Sequence, residues 1–437
     1  MAWDFSTEPE LEEKLEWVRT FVREEVEPLE VLFPGCEFLP LDEERRRIVD
    51  PLKQQVRDRG LWAAHLRPEL GGQGFGAVTL TLLNEILGRS SWAPIVFGTQ
   101  APDTGNAEIL ARFGTEEQKE RYLRPLLEGE IFSCFSMTEP HGGADPAVFT
   151  TRARRDGHEW VIDGRKYFSS NAAVASFFIV VAVTDPDEPI HRGASLFVVP
   201  RETPGLVIEA SHHLYGARPH EPGHSLVRYE NVRVPAGAML GEEGQGFHVA
   251  QTRLAGGRLH HAMRTIGMGQ RAIDMMCERA MSRYTAGSPL AQKQFVQGYI
   301  AESVAELMQF RMAVLHAAWL CDTVGEQAAR KEIAAVKFST PRVIQAIVLR
   351  TIQVHGGLGV TDQLPLIGML TGSIVLGLAD GPSEVHKLDL ARRVLKDYEP
   401  GDPEWPSQFL GRRVEAARAK YGDRVSAVPS IPAVPAE

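Results

Sequence analysis

The chain has 437 residues, 43% of them hydrophobic and 24% charged, with a formal net charge of −10. That is a globular composition long enough for two or three domains, and an acidic balance without a dense Lys/Arg stripe counts against a nucleic-acid partner. No apolar run reaches the ~20 residues that span a bilayer, so no membrane span is expected. The acidic start lacks a signal or transit pattern, and four scattered cysteines without a CxxC fit a reducing, cytoplasmic setting with no bound metal.

Residues 7 to 130 read mostly as helices. Leu11, Leu15, Val18, Val22 and Val26 recur close to the helical period. Thr115 and Gln118 stand as N-cap and partner of a capping box. "PELGGQGFG" (68–76) is a glycine-rich loop. From about Ile131 to Gly241 the texture turns to short β-rich runs such as "FFIVVAVT" and "ASLFVVP", broken by turn signals. This spacing predicts a small antiparallel β domain. The helical period returns from Gly246 to about Tyr398 in four long segments, and the Pro-rich end "PSIPAVPAE" is expected to be disordered. The class is α+β: an N-terminal helical domain (1–130), a middle β domain (131–241), a C-terminal four-helix bundle (242–398) and a partly disordered tail (399–437).

Several stretches are candidates for chemistry. "FSMTEPHGGAD" (135–145) offers a Thr hydroxyl, a Glu-Pro turn and two glycines; by itself it reads as a strand-ending turn. "GRKYFSSNA" (164–172) offers an aromatic pair and two hydroxyls for a planar ligand, or simply a hairpin strand before an Asn turn. "SRYTAGSPLAQKQ" (282–294) sets Arg283, a residue type suited to pyrophosphate, before a helix break and ends in Gln294. "QVHGGLGVTDQLPL" (353–366) ends a helix in a Gly-Gly turn. Asp380, in "LADGPSEVHK" (378–387), stands directly before a helix-breaking Gly-Pro.

In this order, the stretches resemble the acyl-CoA dehydrogenase family over about residues 7 to 398. The resemblance implies two helical domains flanking a β domain, bound FAD and a homotetramer or homodimer. It places Phe135, Met137, Thr138, Gly143, Ala144, Phe168, Ser169 and Ser170 on the cofactor, with Phe168 stacked on the flavin where relatives carry Trp, and Ser170 near N5. Arg283, Gln294, Gln353, Gly356 and Gly357 would hold the pyrophosphate and adenosine of a neighbouring subunit's FAD. Pro382 and Glu384 complete the cofactor set. On the substrate side it places Ala144, Arg258 and Gly381; His261 and Arg264 join them as candidates because they share a cationic helix face.

Asp380 falls on the family's catalytic glutamate. An α-proton of a thioester is weakly acidic, so its base must be close and poorly solvated. Some relatives carry the base just before the Arg258 position, but Gly257 has no group to offer. Aspartate is shorter than glutamate by roughly 1.5 Å. "ADGPSEVH" and "GGRLHHAMRTIG" look like the branch of the human long-chain members ten and eleven, which is linked to 4-hydroxyacyl-CoA catabolism through 4-phosphoacyl-CoA. Arg258, His260, His261 and Arg264, with Arg218, His220 and His224 from a β-domain loop, form a candidate anion site; packing histidines are the plainer reading. The implied partners are an acyl-CoA and an electron-transfer flavoprotein. Competing readings are a nitroalkane oxidase, which also uses Asp but carries an Arg where Lys387 stands, and a non-catalytic DNA-binding homologue.

Overall fold

The computed structural model describes residues 6–66, 68, 72–216 and 220–424. It divides into two compact units, Met1–Leu388 and Asp389–Glu437. The Pro-rich end, Arg218, and Glu69–Gly71 of the glycine-rich loop lie outside the described residues. Helices that bear on the site are numbered α1 to α8 in chain order.

α1 (Pro9–Phe21) runs on into a π-helical turn at Val22–Val26 and buries Leu15, Val18, Phe21, Val22 and Val26, the face marked by the apolar spacing. α2 (Ala77–Leu87) and α3 (Asp103–Phe113) follow. The capping box forms: Thr115 Oγ1 accepts from the Gln118 N–H at 3.2 Å, and Gln118 Oε1 accepts from the Thr115 N–H at 3.1 Å. The Gln118 amide also donates to the carbonyls of Gly237 (3.0 Å) and Met239 (2.9 Å), fastening this helix start to the β domain.

Seven strands make one sheet: β1 (Ser133–Ser136), β2 (Arg152–Asp156), β3 (Glu159–Ser170), β4 (Phe177–Val183), β5 (Ala194–Pro200), β6 (Leu206–His212) and β7 (His224–Pro235). Their order is β1-β4-β2-β3-β7-β6, with β5 also paired to β4. Most pairings are antiparallel, but β1 and β2 each meet β4 in parallel, so the sheet is mixed. β1 enters from the helical region rather than from a hairpin, which frees it from the antiparallel constraint. β4 is covered on both faces. Phe178, Val180 and Ala182 join Trp160, Phe197 and Tyr229 in one core. Phe177, Ile179 and Val181 join Leu110, Leu123 and Leu126 in another. A strand covered twice needs an unbroken apolar run, and "FFIVVAV" is one.

The C-terminal helices are α4 (Gly246–Ser282), α5 (Gln294–Val324), α6 (Arg330–His355), α7 (Leu366–Leu376) and α8 (Ser383–Leu395). The fourth expected segment is thus two helices. Asp380 (φ +54°) and Gly381 (φ +92°) take left-handed backbone, and Pro382 has no N–H for a helical ladder. Arg330–Val360 is long and apolar enough to cross a membrane by length and composition, with 44% of its apolar window buried inside the fold. The count of unbroken apolar residues missed it because Lys337, Arg342 and Arg350 interrupt the run. α6 within this stretch packs on α4, α5 and α7 as a core helix.

α2 and α4 touch backbone to backbone. A Cβ on Gly267 would sit 2.0 Å from the Glu85 carbonyl oxygen, and one on Gly88 would sit 1.8 Å from that of Arg264. Gly267→Ala should therefore force the helices apart and cost about 1–3 kcal/mol, the usual penalty for overpacking. Urea unfolding would show this as a lower midpoint at unchanged slope.

Candidate active site

Asp380 occupies the joint between α7 and α8. Its carbonyl oxygen accepts from Arg258 Nε at 3.1 Å and from His386 Nε2 at 3.1 Å, so its left-handed backbone is held from both sides. The carboxylate is 17% exposed, and Oδ2 lies 3.7 Å from His261 Nε2. A Cβ on Gly257 would stand 3.5 Å from the same oxygen. The structure thus brings Asp380, Gly381, Gly257, Arg258 and His261 together. Lys337 of α6 is buried nearby, donates to the Leu376 carbonyl, and is pulled down to about 8 by burial, against the opposing field of Asp380.

Burial likewise drives the half-buried His261 down to about 4 and His260 down to about 3, with Arg264 beside both. These imidazoles are neutral near pH 7. Arg264 already bonds Asn84 Oδ1 (Nε, 2.9 Å) and the Thr99 carbonyl. Of the loop cations, His220 is exposed and His224 is bonded through Nδ1 to Ser170 Oγ at 2.9 Å; Arg218 lies outside the described residues.

The aromatic wall comes from a bulge. Register slips between Lys166 and Ser169 on β3, and Phe168 adopts φ +53°. Strict alternation would bury Phe168 with Lys166. The bulge turns it out instead, 59% exposed and stacked on Tyr167 with ring centroids 4.0 Å apart. Ser169, expected on the cofactor, is turned inward by the same slip; it is buried and bonded to Ser136 Oγ at 3.0 Å. Facing the bulge is the "TEPHGG" hairpin, closed by reciprocal Glu139–Gly142 backbone bonds and tied to β3 by the Tyr167 N–H donating to Thr138 O at 2.8 Å. A Cβ on Gly143 would crowd the Thr138 methyl at 3.3 Å.

Glu139 is the hidden part of that motif. It and Lys166 are both fully buried, 2.9 Å apart, and Glu139 also accepts from the Thr150 and Thr151 N–H groups. The sequence reading passed over this pair, although period two puts Lys166 on the inward parity of β3, where a charge needs a partner. Arg253 was missed as well. Its guanidinium stacks on Phe135 at 4.1 Å and Nε donates to Asn106 Oδ1 at 2.9 Å. Asn106 in turn donates to Ser133 Oγ at 2.8 Å, and the Ser133 N–H donates to buried Asp103 at 2.8 Å. Burial raises Asp103 to about 6. This network spans α3, β1 and α4, and Asp380 lies within its electrostatic reach.

Arg283, Gln294, Gln353, Gly356 and Gly357 sit apart from this cluster on exposed surface; Ala144 and Glu384 are exposed and Pro382 is half-buried. Behind His260 opens a cavity of 620 Å³, lined among others by His65, Phe75, Glu108, Arg112, Leu259 and Met263. Neither ring nitrogen of His65 has a hydrogen-bond partner among the described residues.

The acyl-CoA dehydrogenase N-terminal, middle and C-terminal domain profiles match residues 8–130, 134–232 and 244–395, and the chain belongs to the acyl-CoA dehydrogenase family. It is 42% identical over 360 residues to the Mycobacterium tuberculosis protein named "Probable acyl-CoA dehydrogenase FadE2", covering 82% of this chain and 88% of that one. It is 39% identical over 355 residues to human acyl-CoA dehydrogenase family member 11, covering 80% of this chain but only 45% of that longer relative. A solved Mycobacterium abscessus structure assigned to the family superposes with a TM-score of 0.85 at 37% identity, covering 90% of this chain and all of that one. A glutaryl-CoA dehydrogenase of Mycobacterium smegmatis, solved with FADH2, gives 0.74 at 25% identity over 89% and 95% of the two chains. The cofactor is FAD. An exposed aromatic face turned outward by a bulge, next to a glycine hairpin bonded to the same strand, fits its flat ring system.

Proposed function

We propose that this FAD-dependent acyl-CoA dehydrogenase uses Asp380 as its base and yields a trans-2-enoyl-CoA. The observation that carries this is the Asp380 carboxylate facing Gly257, mostly shielded from solvent, with its carbonyl held by Arg258 and His386. Asp380 takes the α-proton, and bound FAD supplies the acceptor for the β-hydride at N5. Phe135, Met137, Thr138, Gly143, Phe168 and Ser170 hold the flavin end. The exposed Arg283, Gln294, Gln353, Gly356 and Gly357 would hold the pyrophosphate and adenosine of a second subunit's cofactor. Exposed Phe295 (85%), Met308 (61%) and Val360 (61%) support a homodimer or homotetramer, because large apolar groups left open on helices call for cover. The His65 ring nitrogens, which line the cavity behind His260 and have no hydrogen-bond partner among the described residues, support an acyl chain bearing oxygen, such as a 4-hydroxy or 4-phospho group, since hydrocarbon leaves such atoms unsatisfied. Electrons pass on to an electron-transfer flavoprotein. Four unpaired cysteines support a place in the reducing cytoplasm.

The test is anaerobic. Purified protein is mixed with straight-chain, 4-hydroxy and 4-phospho acyl-CoAs and with a nitroalkane, and bleaching is followed near 450 nm, roughly where oxidised flavin absorbs. Bleaching by a thioester supports the reading; bleaching by the nitroalkane alone overturns it. Phe168→Ala should weaken FAD retention about 2- to 10-fold by ultrafiltration, the scale of one lost aromatic stack.

A further inference from the structure

The Asp380 backbone is fixed by Arg258 and His386, so the rotation of its side chain is what remains to be set. For a base one methylene shorter than glutamate that rotation matters, since a misplacement of about 1 Å costs on the order of 100-fold in rate. α4 supplies two neighbours to Oδ2, one helical turn apart: Gly257, which leaves room for it, and His261, whose Nε2 stands 3.7 Å away. Oδ1 makes no hydrogen bond or ion pair among the described residues.

We propose that His261 is the positioning residue of the base. Its neutral Nε2–H closes the gap to Asp380 Oδ2 when bound substrate excludes water, leaving Oδ1 as the oxygen that takes the α-proton. The C–H bond breaks, its electron pair stays with the acyl group, an O–H bond forms at Oδ1, and His261 neither gains nor loses a proton. A neutral donor suits this place. Lys337 of α6 and Arg253, Arg258 and Arg264 of α4 already surround the carboxylate and His261 with positive charge. A further full charge beside Oδ2 would weaken the base it is meant to aim. Burial pulls the His261 pKa down against the opposing field of Asp380, and Arg264 and Lys337 add to the lowering. His261 is thereby assigned to Asp380 rather than to an anion on the substrate.

The inference rests on Asp380 being the base, and the experiment separates the two. His261→Leu, His261→Gln and Asp380→Asn are compared in the FAD-loaded enzyme, with the acyl-CoA that bleaches the wild type. Three quantities are read: the bleaching rate, KM, and α-proton exchange in deuterium oxide by mass spectrometry. The Leu variant should lose about 10- to 100-fold in bleaching and exchange at unchanged KM, while Gln, a neutral donor, should recover to within about threefold. Three results would overturn the proposal: a Leu variant within threefold of wild type, a Gln variant as slow as Leu, or a change confined to KM, which assigns His261 to substrate binding. Should Asp380→Asn bleach at the wild-type rate, the reading of the base fails first and the proposal with it, whatever the His261 variants do.

Discussion

Asp380→Asn is expected to give a folded, yellow protein whose flavin bleaches about 10²- to 10⁴-fold more slowly under anaerobic acyl-CoA, the range that a positioned general base contributes. The change should be clean. Arg258 and His386 bond the Asp380 carbonyl rather than its carboxylate, so the joint between α7 and α8 keeps its anchors. Asparagine matches aspartate in size and tolerates the left-handed φ of +54°. Stopped-flow absorbance gives the rate, and an unchanged flavin spectrum shows that the cleft survives. A rate within tenfold of wild type would remove Asp380 from the base position.

The second large effect is structural. Lys166→Met strands a fully buried Glu139 carboxylate, and breaking one partner of such a pair costs about 3–5 kcal/mol. The pH dependence follows from Glu139. Burial pushes its pKa up, but Lys166 and the Thr150 and Thr151 N–H groups pull it down to about 2, below its ordinary 4.5. A depressed carboxylate stabilises the fold above its unfolded pKa and loses that contribution as pH falls through the folded one. Wild-type stability should therefore decline from about pH 4.5 down towards 2. The variant, lacking the cation that depresses Glu139, should show a shallower slope there. Urea midpoints measured at pH 7, 4.5 and 3 check both points. Equal midpoints at pH 7 would mean that the pair contributes nothing.

Much of this was legible. The helical spacing from Leu11 to Val26, the Thr115 capping box and the two-faced strand "FFIVVAV" each carry their structure locally, because period, cap chemistry and unbroken apolarity are properties of adjacent residues. Other features depend on what arrives from elsewhere in the chain. The parallel seat of β1 beside β4 depends on the route from the helical domain. The outward turn of Phe168 and inward turn of Ser169 hinge on one bulge that alternation does not announce. Arg253 reads as an ordinary helix cation until Phe135 and Asn106, from other elements, meet it. Lys337 offered no signal either, since a lone Lys on a long helix is usually solvated. Lys166 is the avoidable miss: its inward parity on β3 was readable.

Glu139 belongs to the hairpin and Lys166 to the strand that ends in the Phe168 bulge. One ion pair therefore clamps the hairpin to the strand beside the proposed flavin cleft, and the hairpin and bulge are tied into one part. Little conformational entropy is left for the cofactor to remove, so the cleft is preorganised. Reconstitution of the cofactor-free protein should then resemble docking into a finished mould rather than folding around a guest, with the far-ultraviolet circular dichroism unmoved as the yellow colour returns.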